Sequence, residues 1–198
     1  MRRAVTATPA ASQELQHWRL PALRVIPALA VGLPLPFIQL HAPVVGLIAL
    51  AVLLAGTAVV LWLGRRHTPE GTGAWPALVA AWSGLNAVVA LVLALIAPTE
   101  TLLGLAVALW AIPAGLVELQ GWARMRSVTE PRTRQLVRDW LAVGVFTVLL
   151  GLVFAFLRDA VSLVGLLGAY AVIVGVFHAV AALSARPART TSTERSDA

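Results

Sequence analysis

Long apolar stretches alternate with short polar breaks along this chain. Each stretch is close to the ~20 residues that a helix needs to cross the hydrocarbon of a bilayer. They predict six transmembrane helices, at residues 20–40, 44–63, 77–97, 102–122, 141–157 and 160–185. The first carries Pro21, Pro27, Pro34 and Pro36, with Arg24 near its start. Proline removes a helical hydrogen bond and clashes with the preceding turn, so this span is expected to be kinked. The fifth is the shortest.

The breaks between spans are of two kinds. His41-Ala42-Pro43, Pro98-Thr99-Glu100-Thr101 and Arg158-Asp159 are tight turns with little positive charge. The other breaks collect arginine: Arg65 and Arg66 with His67, then Arg124, Arg126, Arg132, Arg134 and Arg138. Arg2 and Arg3 precede the first span, and Arg186, Arg189 and Arg195 follow the last. Arginine is retained on the cytoplasmic side. The alternation therefore predicts three tandem helical hairpins with both termini cytoplasmic. Trp18, Trp75 and Trp140 precede odd spans and Trp62 and Trp122 close even ones, which places all five at the cytoplasmic interface.

The domain reading follows. Residues 1–17 form a cytoplasmic N-terminal segment, without the short apolar core and small-residue cleavage site of a signal peptide. Residues 18–185 form the six-helix domain, and 186–198, rich in Thr, Ser and Arg, form a disordered cytoplasmic tail. Composition supports a bilayer as the solvent: 59% of residues are hydrophobic and 12% charged, against about 45–50% and about 25% in soluble domains. The net charge of +6 is explained by arginines flanking apolar spans and does not call for nucleic acid. The absence of cysteine excludes disulfides, iron–sulfur clusters and thiolate zinc sites.

The even spans share an interval. Gly115 follows Gly56 by 59 residues and Gly175 follows Gly115 by 60, Trp122 follows Trp62 by 60, and Ala111-x-x-x-Gly115 recurs as Ala171-x-x-x-Gly175. The chain reads as a threefold internal repeat. Small residues four apart let helix backbones approach closely in lipid. They serve either packing within the monomer or a homo-oligomer interface.

Ionisable groups inside spans are costly and mark candidate sites. Glu118 lies three residues after Gly115, and His178 occupies the same place after Gly175. Arg24 should lie at a similar depth. Arg24, Glu118 and His178 are thus expected to form one polar cluster, either a structural set of partners or a group able to sense or relay protons. Asn86, near the middle of the third span with Ser83, either joins helices or lines a pore with that cluster. Arg124, Arg126, Arg132, Arg134 and Arg138 are candidate contacts for anionic lipid headgroups, beyond their topological role. No phosphate-cradling glycine loop, His-Glu-x-x-His or Gly-x-Ser-x-Gly motif is present. The histidines His17, His41, His67 and His178 are scattered. No catalytic residue, cofactor, metal site or small-molecule substrate is indicated, and membrane lipids are the expected partners.

One resemblance covers roughly residues 18–185. Asp139-Trp140-Leu141-Ala142-Val143-Gly144, then Leu150-Gly151-Leu152-Val153-Phe154, the Arg158-Asp159 turn and Gly165-Leu166-Leu167-Gly168-Ala169-Tyr170 leading to Gly175 form a Trp- and Gly-marked pair of spans. Gly115-Leu116-Val117-Glu118-Leu119 precedes an arginine exit. These stretches resemble the HdeD-like small bacterial membrane proteins. The first hairpin departs from the pattern, with four prolines and no repeat glycine at its start. The resemblance implies a non-enzymatic protein of the bacterial cytoplasmic membrane, associated with acid or envelope stress. The alternative expectation is a small transporter or channel with a polar path through Glu118, His178 and Asn86.

Overall fold

A computed structural model describes residues 19–65, 74–127 and 131–184. The expectations for 1–17, for 186–198 and for Trp18, Arg66 and His67 lie outside those residues, as do the side chains of Trp75 and Arg132. The described residues form six helices, α1 (Arg19–Gly32), α2 (Pro43–Gly64), α3 (Trp75–Ile96), α4 (Glu100–Met125), α5 (Pro131–Phe156) and α6 (Ala160–Ser184). All six regions are long and apolar enough to cross a membrane, the first only when the turn after α1 is included. The chain is an all-α protein with six membrane-spanning segments.

Two boundaries differ from the sequence expectation. The α1 helix accommodates Pro21 and Pro27 but stops at Gly32, and the rest of the first span is a 3-10 turn at Leu35–Phe37. Proline disfavours helical backbone in the residue before it, so Pro34 and Pro36 in close succession prevent the helix from resuming. Fourteen residues reach only ~21 Å, short of the ~30 Å hydrocarbon. Buried Leu35 anchors the non-helical piece against Gly168 of α6. A shallow apolar groove of about 320 Å³ remains beside it, walled by Val31, Pro34, Leu35 and Ile38 on one side and Val45, Ile48 and Val52 of α2 on the other. The fifth helix is longer than expected because it starts at Pro131, before the apolar run. Proline suits a first helical turn, where its missing N–H has no partner to lose.

The helices close into a ring. The most extensive packing joins α4 to α5, α2 to α3, and α6 to α1, while α2, α4 and α6 also meet one another at the centre. The closest partners are thus separated by the arginine-bearing breaks or by the whole chain. Helices joined by the tight turns touch less extensively. Glycine explains two of these approaches. A Cβ on Gly115 would lie 2.8 Å from the Gly144 carbonyl oxygen and 2.9 Å from the Val148 nitrogen of α5. One on Gly32 of α1 would lie 2.7 Å from the Val172 nitrogen of α6, whereas one on Gly175 would meet the flexible end of Leu29. Gly56 differs, since it faces Pro27 of α1, the preceding helix, and not α3.

Two apolar layers result. Toward the tight-turn end, Leu47, Leu50, Leu54, Leu103, Phe154, Leu163 and Leu167 are fully enclosed. Toward the arginine-bearing end a smaller cluster holds Leu20, Leu61, Val79, Val137 and Trp140. Trp140 is only 8% exposed, so its ring packs into the bundle at the arginine-bearing end. Trp62 does remain exposed, with the Arg65 guanidinium 3.8 Å above its ring. At the last tight turn Asp159 accepts the Ser162 backbone N–H at 2.8 Å, capping α6. Thr99 does the same for Leu102 in α4.

Replacing Gly115 with valine should lower stability by about 1–3 kcal/mol, because backbone and not a flexible side chain must yield. Gly165→Ala, with open space around it, should leave stability equal or slightly higher; denaturation of both variants in detergent tests this. The Ser162 bonds hold the Asp159 carboxyl below its ordinary pKa. A depressed pKa stabilises above the unfolded value, and that stabilisation is lost as pH falls through the folded one. Asp159→Ala should therefore melt a few degrees below wild type at pH 7, with the gap closing below the usual carboxylate range.

Candidate functional site

Between the two apolar layers lies a polar cavity. From α1, Arg24 Nη2 donates to Glu118 Oε1 of α4 at 2.6 Å. These helices stand on opposite sides of the ring, so the bond crosses the bundle. The side chains are 11% and 4% exposed. Stripping two charges of water is expensive, and the attraction between them repays it only with good geometry and further hydrogen bonds. No further bond supports Glu118 among the described residues: its Oε2 is buried without a partner.

Arg24, Glu118 and His178 all line this cavity, whose volume is about 30 Å³. A void of that size holds about one water molecule, which requires polar partners around it. Thr57 of α2, Thr147 of α5 and Tyr170 of α6 supply further oxygens in the lining. Thr147 Oγ1 donates to the Val143 carbonyl of its own helix at 2.7 Å and shares a 2.8 Å bond with the Tyr170 hydroxyl, linking α5 to α6. Helix α3 contributes only Val79 to the lining.

Asn86 does not join the cluster. Its Nδ2 donates to the Trp82 carbonyl at 2.8 Å, four residues back on the same helix, and it lies outside the cavity lining. The expected polar group of four is therefore a group of three. What bridges α3 and α4 is a pair of indoles. Trp82 Nε1 donates to the Trp110 carbonyl and Trp110 Nε1 to Ser83 Oγ, each at 3.2 Å. The Trp110 ring meets the Tyr170 ring edge-on, with centroids 6.1 Å apart, and both line the cavity.

Trp110 and Tyr170 escaped the sequence reading although a signal was present. They are separated by the same 60 residues that separate Glu118 from His178. Thr57 and Thr147 gave no comparable signal, since threonine in a span is cheap and common. The loop arginines Arg124, Arg126, Arg134 and Arg138 are exposed together at one end of α4 and α5, consistent in position with headgroup contact. Among the described residues a buried carboxylate oxygen without a partner also occurs at Asp139 of α5, outside the cavity lining. Among the described residues no three His, Cys, Asp or Glu side chains gather as metal ligands.

A scan against protein-family models, a search of curated proteins and a search of solved structures each return no match.

Removing one charge strands the other. Arg24→Leu and Glu118→Leu should each cost about 3–5 kcal/mol, whereas the double substitution should recover most of that loss. A double-mutant cycle measured by denaturation in detergent checks the sign and size of the coupling.

Proposed function

We propose that this chain is a non-enzymatic, HdeD-like integral membrane protein of the bacterial cytoplasmic membrane, linked to acid or envelope stress. In this reading both termini face the cytoplasm and the fold derives from three repeated hairpins. The exposed Arg124, Arg126, Arg134 and Arg138 support the orientation, because basic residues stay on the cytoplasmic side. Lipids are its partners, with anionic headgroups at those arginines, and its small-residue helix faces serve packing within the monomer or between copies.

The observation that carries the reading is the closed Arg24–Glu118 pair. It ties opposite helices together at the centre, beneath a layer of fully enclosed Leu47, Leu103, Phe154 and Leu163. A transporter needs a hydrated route reaching both faces, whereas a structural bundle closes its polar groups on one another. The transporter alternative drew its path through Glu118, His178 and Asn86. Asn86 is bonded within its own helix and stands off the cavity, which favours the closed bundle.

Proton flux in proteoliposomes under an imposed pH gradient separates the two. The closed bundle predicts no flux above that of empty liposomes in either wild type or Glu118→Gln, together with a lower melting temperature for the variant. Flux in the wild type that Glu118→Gln abolishes would overturn it.

A further inference from the structure

We propose that the cavity between Glu118 and His178 is a proton-binding site, in which protonated His178 competes with Arg24 for Glu118. The argument begins with an unused acceptor. Arg24 engages Oε1 of Glu118, and Oε2 is left buried without a partner. A buried carboxylate oxygen in that condition is expensive, and few groups within reach can relieve it. The cavity that Glu118 faces is also lined by a histidine only 5% exposed, and it has space for about one water.

Among the described residues that line the cavity, the charged and titratable groups facing His178 are few. Helix α1 contributes the Arg24 guanidinium, α4 the Glu118 carboxylate, and α6 itself the Tyr170 phenol. The lining side chains from α2, α3 and α5 include Thr57, Val79 and Thr147, and none of those three titrates. With His178 neutral, one positive and one negative charge balance. A proton arriving as hydronium leaves water behind and forms the second N–H of the imidazole. The cavity then holds two cations and a single carboxylate. The free oxygen of Glu118 and the new N–H donor line the same cavity, so the imidazolium draws on the same charge that holds Arg24. Because Arg24 is the cross-bundle tie of α1, uptake of the proton weakens the grip of α1 on α4.

The direction of access follows from the layers. Enclosed aliphatic side chains and Phe154 separate the cavity from the tight-turn end. Protons therefore reach it from the arginine-bearing end, past a smaller cluster of Leu20, Leu61, Val79, Val137 and Trp140. Binding needs no second exit, so the site deepens the closed-bundle reading and rests on it.

The full chain, labelled with ¹⁵N-histidine and ¹³C-glutamate in lipid nanodiscs, is titrated from pH 8 to pH 4 by NMR. His178→Gln and Glu118→Gln assign the two signals. The proposal expects His178 to gain a proton in this range and the Glu118 carboxylate carbon to shift with the same midpoint. Glu118→Gln should lower the His178 midpoint by about one unit or more, a roughly tenfold loss of proton affinity, and Arg24→Gln should raise it. A His178 that stays neutral at pH 4, or a Glu118 signal that does not follow it, overturns the proposal. If those variants fail to fold, replacing His17, His41 and His67 by Gln leaves His178 as the single histidine signal, and its titration stays decisive. Failure here leaves the flux result untouched, and flux through the wild type would overturn the closed bundle while the coupled titration stood.

Discussion

Backbone proximity in a medium without water governs this molecule. Inside the hydrocarbon, lipid tails are as apolar as leucine, so helices gain nothing by hiding apolar surface from their surroundings. They associate where contact can be made unusually close. Gly115 against Gly144 and Val148, and Gly32 against Ala171 and Val172, are such places. They hold α4 to α5 and α6 to α1, although α4 and α6 each have another neighbour joined by a shorter turn. Chain connectivity proposes partners here, and backbone contact selects among them. The selected contacts close the ring, and the ring creates the enclosed centre.

At that centre the same absence of water makes every polar group depend on its neighbours. Arg24 and Glu118 meet across the bundle because neither can be left alone. Thr147, Tyr170, Trp110 and Ser83 form a second strand of bonds and ring contacts through α5, α6, α4 and α3. Together these fix the rotation of each helix about its own axis, which apolar packing of similar aliphatic side chains would specify poorly. The carboxylate oxygen of Glu118 that stays outside both strands is where this otherwise closed arrangement retains chemical capacity.

Much of this was legible in the sequence, for identifiable reasons. Six spans stand out because crossing hydrocarbon demands length and apolarity together. Arg24, Glu118 and His178 stand out because ionisable groups in such spans must be accounted for, and the interval of 60 between the last two placed them at one depth. Other features were hidden. Asn86 looked like a member of the cluster, but an amide can bond to its own helix, and the sequence does not say which carbonyl it takes. The Trp140 ring packs into the bundle at the arginine-bearing end, which its place before an odd span did not show, because burial depends on the helix that faces it. Four prolines announced an irregular first span without showing that Pro21 and Pro27 would be absorbed and Pro34 would not.

That early end of α1 changes what counts as the wall of the bundle. Over the last part of its path the first span offers a 3-10 turn and extended chain beside a groove lined by Val31, Ile38 and Ile48. In a fluid bilayer, hydrocarbon tails would fill that dent and touch side chains that a longer helix would have covered. At this corner the solvent becomes masonry. The leaflet at the tight-turn end would then bear directly on the far end of α1, the helix whose first half carries Arg24.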